Sequence, residues 1–237
     1  MSISSSMYVA LTGMRMAQAA MDVSSNNIAN VNTPGYSRQR INLATLPTWS
    51  ASWGQVGLGV DANNVTRYTD QFLTRSLVTT GSTLGYDVAL KSALDNLELF
   101  YNESAGNGIN QAMSDFFAGW SQLADEANNK PYREELIEFT QSLTSQLSLR
   151  REQMDSLRTD TNKRIGDAVV EINKIIADIA SLNDQIAVYE DPASNQQANE
   201  LRDSREELTK QLAEYMNIEY YEDPHDGQYH ITSSKGI

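Results

Sequence analysis

Cysteine is absent from the 237 residues of this chain, and histidine occurs only twice, at His225 and His230. Without a thiol, the chain has no disulfide framework, no thiolate zinc site and no cysteine nucleophile. Two histidines leave little material for a histidine-based metal site. Apolar runs are only a few residues long, far short of the roughly 20 residues that cross a bilayer, so we expect no membrane insertion. The first six residues lack the basic start and apolar stretch of a secretory signal peptide, so the general export route is not expected.

Basic residues are also scarce, because 18 Lys and Arg stand against 31 Asp and Glu, for a formal net charge of -13. Nucleic-acid binding depends on cations that neutralise phosphates, so this balance predicts no nucleic-acid partner. Residues 1–82 contain five Arg, three Asp and no Glu or Lys, whereas residues 83–237 contain 13 basic and 28 acidic residues. The second part has the composition of long solvated helices, which predicts a boundary near residues 81–85.

A heptad repeat runs through the first 31 residues. Apolar or small residues alternate there in steps of four and three, which predicts one α-helix with a coiled-coil seam. The seam residues are Ile3, Met7, Ala10, Met14, Ala17, Met21, Ser24, Ile28 and Val31. Methionine, alanine and serine bury little area per turn, so this helix is predicted to need partner helices. Pro34 and Gly35 end the helix in a sharp turn.

Residues 36–67 lose this period, and we interpret them as an extended arm. Between glycines of this arm, the segment 56–60 has the pattern of a short strand. Residues 68–77 are predicted to form a short helix, which ends at a break containing Gly81.

Two amphipathic helices are predicted at 84–101 and 109–127, separated by a glycine turn at 106–108. The second helix carries apolar and aromatic side chains at helical spacing. We predict that this stripe is core, and it consists of Ile109, Met113, Phe116, Trp120 and Leu123.

The strongest periodic signal lies between residues 136 and 189, where apolar residues again alternate in steps of four and three. This signal predicts one helix of about 55 residues, about 85 Å long at 1.5 Å per residue. A turn at 190–194 and a second heptad face at 201–215 then predict an antiparallel helical hairpin. Alternation with a period of two between residues 218 and 231 predicts a β-hairpin.

Charged residues are dense on the return helix of this hairpin. We predict a solvated face with intrahelical pairs, composed of Glu200, Arg202, Asp203, Arg205, Glu206 and Glu207. Asp203 and Arg205 are the expected exceptions. Arg205 falls on the apolar seam, where a charge needs a partner across the hairpin, so we expect it to set the register of the hairpin.

Together these elements predict a mainly α fold in four parts. An N-terminal heptad helix and its turn occupy 1–35, and an extended connector arm occupies 36–83. A long antiparallel coiled-coil-like helical hairpin and bundle occupies 84–216. Residues 217–237 are predicted to start a β-rich outer domain, because a hairpin this short cannot bury enough surface to stand alone.

Few residues of this sequence are candidates for a catalytic, metal-binding or phosphate-binding site. The three glycines between residues 54 and 59 lack the spacing of a phosphate-binding loop. Asp223 and Asp226 flank His225 in a Pro-Gly turn, where backbone geometry explains them better than a hard-metal site does. The serines have no local histidine partner for nucleophilic catalysis. We therefore predict no catalytic residue, no cofactor and no metal site.

One motif is specific. The segments LTGM at 11–14 and NNIANVNTPGYS at 26–37 closely resemble the signature of the bacterial flagellar rod, hook and hook-associated axial proteins. Physically, the second segment is an Asn-rich Pro-Gly turn whose side chains can bond to neighbouring backbone groups. Further segments resemble the hook-associated members that form the junction between hook and filament, namely YSRQ at 36–39, GLGV at 57–60, DQFL at 70–73 and LRDSR at 201–205.

This resemblance implies which residues serve assembly. The implied assembly signature is Asn26, Asn27, Ala29, Asn30, Asn32, Thr33, Gly35 and Tyr36. Axial packing is implied for Ile3, Met7, Met14, Met21 and Ile28, and hairpin register for Asp203 and Arg205. Members of the family finish with a C-terminal helix that pairs with the N-terminal one. This sequence shows no such helix, so we expect residues 1–30 to be poorly ordered in the isolated chain.

The resemblance implies a non-enzymatic structural adaptor that assembles into a ring at the distal end of the hook and is needed for filament attachment. The implied partners are like subunits, the hook protein, a second junction protein and the flagellar type III export apparatus, which delivers the protein outside the cell. Two alternatives stay open, which are another axial protein, such as a hook or distal-rod subunit, and a secreted coiled-coil binding module. An enzyme ranks third, for lack of converging catalytic groups.

Overall fold

A computed structural model of the chain describes residues 3–101, 108–190, 196–223 and 227–233. Helices dominate these ranges, so the predicted mainly α fold is confirmed. The elements in chain order are α1 (Ile3–Ala29), β1 (Gln39–Thr45), β2 (Trp49–Ala51), β3 (Gly54–Val56), β4 (Val60–Arg67), α2 (Gln71–Tyr101), α3 (Ile109–Asp125), α4 (Lys130–Tyr189), α5 (Asn199–Tyr215), β5 (Ile218–Glu222) and β6 (Tyr229–Ser233).

The chain divides into two compact units. The first unit contains Met1–Tyr86 and Glu171–Ile237, and the second contains Asp87–Val170. The boundaries of the two units fall inside α2 and α4, since each of these helices runs through a boundary without a break. The division into four parts that the sequence suggests stays a prediction.

The core of the first unit lies between α2, α4 and α5. Its fully buried members are Val78, Ile175, Ile179, Leu212, Ala213 and Ile218. Leu212 shares this core with Ile175 and Ile179, while the guanidinium of Arg205 bonds to Asn183 at 2.8 Å. Residues later in α5 thus meet residues earlier in α4, and the predicted antiparallel hairpin is confirmed.

The predicted break at Gly81 is wrong, because α2 is one continuous helix. A Cβ added at Gly81 would lie 4.0 Å from the Cβ of Ala213 on α5. One added at Gly85 would overlap the carbonyl oxygen of Glu214 and lie 2.9 Å from its carbonyl carbon. Gly85 therefore lets α2 pack closely against α5, and the local helix cost of glycine there is outweighed by this packing, whereas Gly81 has room for a methyl group.

The predicted arm is a β ribbon. Strands β1 and β4 pair antiparallel, with an irregularity between Asn42 and Leu43, and β2 pairs with β3 at the far end of the ribbon. The predicted strand at 56–60 is wrong, because residues 57–59 separate β3 from β4. Gly59 has a φ of +113°, which ordinary residues rarely adopt, and an added Cβ there would overlap the Thr12 hydroxyl.

Helix α1 lies along the ribbon through a face that the heptad seam does not include. The buried Thr12 hydroxyl accepts a hydrogen bond from the Val60 backbone at 3.4 Å. This face includes the less exposed residues Val9, Thr12, Met16, Ala19 and Val23. The seam points away from the ribbon, since Met7 is 72% exposed and Ile28 is 74% exposed. The helix therefore has two faces, and one of them is uncovered in the isolated chain.

In the second unit, the predicted aromatic core of α3 is wrong in two of its members, since Met113 and Trp120 are exposed. The buried residues of α3 are the small Ala112 and Gly119. A Cβ added at Gly119 would lie 2.9 Å from the ring of Phe139 on α4. Small residues allow this close helix packing, and Met113 and Trp120 are left at the surface.

Strands β5 and β6 form the predicted hairpin, in which Ile218 pairs with Ser233 and Tyr220 with Ile231. The predicted turns at 106–107, 191–194 and 224–226 lie outside the described residues. Gly227, at the end of the last turn, has a φ of +67°.

Candidate assembly site

The signature turn is held by its own asparagines. At the end of α1, the Asn30 amide donates to the Asn26 side-chain oxygen at 2.7 Å, and the Asn30 side-chain oxygen accepts from the Thr33 hydroxyl at 3.2 Å. Backbone bonds from Thr33 to Asn30 at 2.9 Å and from Tyr36 to Thr33 at 3.2 Å complete the turn. Asparagine favours such local bonds, so this sequence stops the helix and fixes the direction in which the chain leaves it.

Asn27 joins the helix to the ribbon. Its side-chain oxygen accepts from the Gln39 backbone at 2.8 Å and from the Tyr36 hydroxyl at 3.0 Å, and its amide donates to the Gln39 carbonyl at 2.9 Å. One amide thus satisfies both backbone groups at the start of β1. Two other signature residues, Ala29 and Asn32, are exposed.

Gly35 lets the turn approach α5. Its φ is +78°, and an added Cβ would lie 3.3 Å from the Cβ of Glu207. A larger residue would therefore be strained by its backbone and crowded by the neighbouring helix. The turn and the return helix meet at this point.

Asp203 connects three elements. One of its carboxylate oxygens accepts from the Ser37 backbone at 2.9 Å, and the other accepts from the Arg67 guanidinium at 2.6 Å. Arg67, at the end of β4, also lies 3.5 Å from a carboxylate oxygen of Glu206. The side chains of Arg67 and Asp203 are each less than a tenth exposed. Burial, together with the carboxylates of Asp203 and Glu200, raises the pKa of the adjacent Tyr36 phenol.

A second ion-pair cluster surrounds Arg202 on α5. Arg202 donates to both carboxylate oxygens of Glu190, with one distance of 2.7 Å, and also contacts Glu222 on β5. Burial opposes the charge on Glu190, but the Arg202 hydrogen bond and the Ala198 backbone outweigh it and hold the pKa of this carboxyl below its ordinary value. The same hydrogen bond to Glu190 raises the pKa of Arg202. These pairs join the end of α4 to α5 and β5.

Arg205 is fully buried in the first unit. Its guanidinium donates to the Asn183 side chain and to the Gly227 carbonyl, both at 2.8 Å, and lies 3.7 Å from the ring centre of Tyr229. Glu222 is its carboxylate partner at 3.3 Å. Burial lowers the pKa of Arg205, and the neighbouring Tyr229 and Glu222 oppose that effect. Because Asn183 is on α4, these bonds cross the hairpin, and the role of Arg205 in register stays a prediction.

Two family models match this chain. The model for the "Flagellar hook-associated protein FlgK helical domain" matches residues 94–237, and the model for the "Flagella basal body rod protein" matches residues 7–36. The chain belongs to the FlgK family of flagellar hook-associated proteins. The resemblance drawn from the signature is therefore confirmed, including its narrower form, the likeness to flagellar hook-associated protein 1.

Curated relatives agree with the FlgK assignment. Flagellar hook-associated protein 1 of Escherichia coli (strain K12) is 30% identical over 230 residues, covering 96% of this chain and 41% of the relative. The protein of the same name from Bacillus subtilis (strain 168) is 27% identical over 208 residues, covering 85% of this chain and 41% of the relative. The chain thus spans about two fifths of the length of the curated FlgK relatives it matches.

Two further matches are proteins of the flagellar hook and its junction. The solved structure of the flagellar hook junction protein FlgK from Burkholderia pseudomallei has a TM-score of 0.54 and 26% identity, covering 68% of this chain and 27% of that one. The flagellar hook protein FlgE of Helicobacter mustelae is 36% identical over 104 residues, covering 38% of this chain and 21% of that protein. The hook context is therefore shared by both kinds of relative.

Several residues of this site are missed or misplaced by sequence reasoning. The prediction that Arg202 and Glu206 belong to a solvated face is wrong, because both lie in ion pairs between elements. Arg67 was not singled out, since it is a lone cation at the end of a strand. Asn199, which donates to the Val65 carbonyl at 2.9 Å, was also missed. The ion pairs of α5 could have been expected from one feature of the sequence, which is the unusual density of charges on a helix that also carries an apolar seam.

The charged groups of this site bond to each other and to the backbone. Asp203 pairs with Arg67 and accepts from the Ser37 backbone, and Arg202 pairs with Glu190. Within the described ranges, no group of three or more His, Asp and Glu residues is arranged to hold a metal ion. No described helix is both long and apolar enough to cross a membrane.

Proposed function

We propose that this protein is a structural subunit of the bacterial flagellum that assembles at the distal end of the hook and is needed for filament attachment. One observation carries the proposal. The signature turn of the axial proteins is bonded to the helical domain of the junction proteins, because Asp203 accepts from Ser37 and Arg67 together. A segment common to axial proteins and a segment specific to the junction family thus form one buried joint.

Packing, rather than catalysis, is the mechanism of this adaptor. The uncovered seam of α1 consists of Ile3, Met7, Met14, Met21 and Ile28, and we assign it to axial packing with neighbouring helices. The assembly signature then passes force from α1 into α5 through the Asn27 and Asp203 hydrogen bonds. Buried ion pairs suit this task because removing either partner leaves an uncompensated charge, so the joint resists being pulled apart.

The partners in the proposal follow the position of the protein at the hook end. Like subunits form the ring, the hook protein lies on one side, and the second junction protein, hook-associated protein 3, lies on the other. The flagellar type III export apparatus delivers the chain to the outside of the cell. Support comes from the hook-associated and hook-protein relatives, and the absence of a catalytic role is part of the same proposal.

A deletion strain tests this function. We expect cells that lack the gene to build complete hooks without filaments, and expression of the complete protein to restore filaments. An Asp203→Ala variant should restore fewer filaments than a Glu200→Ala variant, which changes an exposed carboxylate on the same helix. Missing hooks would favour the hook or distal-rod alternative, which the hook-protein similarity over 38% of the chain makes the leading rival. Normal filaments would favour the secreted binding module.

A further inference from the structure

Methionine is concentrated on one exposed face of α1. Met7, Met14 and Met21 are 72%, 64% and 63% exposed. They stand seven residues apart in the sequence, so they lie on one side of the helix, about 10 Å apart along its axis at 1.5 Å per residue. The other methionines that the structure describes are less exposed, and they are Met16, Met113, Met154 and Met216. The most exposed sulfur-containing side chains of the described ranges thus lie together on the seam.

These three methionines supply the large apolar side chains in the middle of the seam. The seam positions that alternate with them are small, exposed residues, namely Ala10, Ala17 and Ser24. Ile3 and Ile28 lie only at the two ends of the seam. From residue 7 to residue 24, the apolar packing surface of the seam therefore depends on three thioether side chains.

Thioether sulfur reacts with peroxides, and no thiol of this chain competes for them, because the 237 residues contain no cysteine. With hydrogen peroxide, a lone pair of the methionine sulfur attacks one peroxide oxygen, the O–O bond breaks and an S–O bond forms. The sulfur is oxidised by two electrons to a sulfoxide, and the peroxide is reduced to water. Oxidation thus turns a flexible apolar side chain into a polar one.

We propose that Met7, Met14 and Met21 form an oxidation-sensitive site, at which peroxide makes the seam of the unassembled protein polar and so prevents its axial packing. This inference deepens the proposed function and rests on it, because the seam is the surface assigned there to neighbouring helices. A sulfoxide that is buried in an apolar contact loses its hydrogen bonds to water, which opposes the packing. Packed helices cover the sulfur atoms, so the protein is sensitive before assembly and protected after it.

Peroxide kinetics test the oxidation site itself. The purified complete protein is treated with hydrogen peroxide, the reaction is stopped at intervals with catalase, and tandem mass spectrometry assigns the added oxygen to single methionines. We expect each of the three seam methionines to react about threefold faster or more than Met16, the half-buried control on the ribbon face of the same helix. Rates for the seam methionines that do not exceed the rate for Met16 would overturn the proposal.

Binding to hooks tests the effect on packing. Hooks isolated from the deletion strain are mixed with untreated or peroxide-treated protein, and the amount of protein that sediments with the hooks is measured. We expect oxidation to lower this binding about tenfold or more, and reduction by methionine sulfoxide reductases A and B to restore it. Circular dichroism of the treated protein checks that its helical content survives the oxidation.

Two leucine variants make the binding test specific, because leucine is apolar, similar in size to methionine and unable to form a sulfoxide. The seam variant combines Met7→Leu, Met14→Leu and Met21→Leu, and peroxide should change its binding by less than about twofold relative to the same variant untreated. The control variant combines Met16→Leu and Met113→Leu, and peroxide should lower its binding as much as that of the natural chain.

The outcomes separate this inference from the proposed function. Equal peroxide sensitivity of the two variants, or binding that survives full oxidation of the seam, would overturn the inference and leave the proposed function standing. Failure of the untreated protein to bind hooks would contradict the proposed function and the effect on packing, while the peroxide kinetics would still decide the oxidation site.

Discussion

Removing the Asp203 carboxylate is expected to destabilise the first unit strongly. In Asp203→Ala the Ser37 backbone loses its acceptor, and Arg67 keeps only the Glu206 carboxylate at 3.5 Å in place of the bond at 2.6 Å. Both ion-pair partners are less than a tenth exposed, so water does not replace the lost bond. Breaking a buried pair by deleting one partner costs about 3–5 kcal/mol of unfolding free energy. For a chain of this size, that loss lowers Tm by about 6–20 °C.

Urea and thermal unfolding measure this loss. A Trp120→Phe background leaves the other two tryptophans in the first unit, so fluorescence can be compared with circular dichroism of the whole chain. The exposed Glu200→Ala serves as the control and should change the unfolding free energy by less than about 0.5 kcal/mol. Replacing Arg67 with Met in the Asp203→Ala chain should recover part of the stability, because it removes the uncompensated charge. A loss below about 1 kcal/mol in Asp203→Ala, or no recovery in the double variant, would refute the reasoning.

Five further substitutions test three other parts of the structure by the same unfolding measurements. Gly85→Ala should lower the free energy of unfolding by about 1–3 kcal/mol because the new Cβ overlaps α5. Gly81→Ala should raise it by up to about 1 kcal/mol, because the new Cβ has room and alanine favours the helix. Equal effects of the two substitutions would contradict the packing of α2 on α5. Glu190 has a lowered pKa, so its contribution is present above its unfolded pKa near 4.5 and is lost as the pH falls through the folded value. Glu190→Gln should therefore flatten the acid dependence of stability, and an unchanged pH profile would count against the pair. Arg205→Met should lower the free energy of unfolding by about 3 kcal/mol, whereas Lys210→Met, which removes a partly exposed pair, should lower it by less than about 1 kcal/mol. Equal losses in the two variants would contradict the role of the buried arginine.

Periodicity in this sequence predicts elements well because it reflects which residues can share a helix face. The heptads at 136–189 and 201–215 correspond to α4 and α5, and alternation near the end corresponds to β5 and β6. The Asn-rich turn after α1 is predictable for the same reason, since its bonds join residues close in the sequence. Local rules therefore suffice wherever the structural cause is local.

Packing between distant segments is where sequence reasoning failed. In the sequence, a glycine that ends a helix cannot be told from a glycine that lies against a neighbouring helix. Gly81 is predicted to be a break, but it lies inside α2 opposite Ala213 of α5. Similarly, an aromatic stripe shows which face of α3 is apolar but not which face is covered, and Gly119 determines that α4 covers the other one. A heptad seam on α1 likewise gives no sign of the second face that contacts the ribbon.

The candidate site was only partly predictable. Asp203 and Arg205 were singled out because a charge on an apolar seam requires a partner, but the identity of that partner depends on the fold. Arg67 lies 136 residues from Asp203 in the sequence, and no local pattern connects them. The same holds for Arg202, whose partners come from the end of α4 and from β5.

Electron microscopy of labelled protein tests the central claim most directly. A strain that lacks the gene is complemented with the complete, labelled protein, and the label is located on isolated flagella. The account predicts label at the boundary between hook and filament, with filament growth only in complemented cells. Label along the whole hook or rod, or label away from flagella, would contradict a role at the junction.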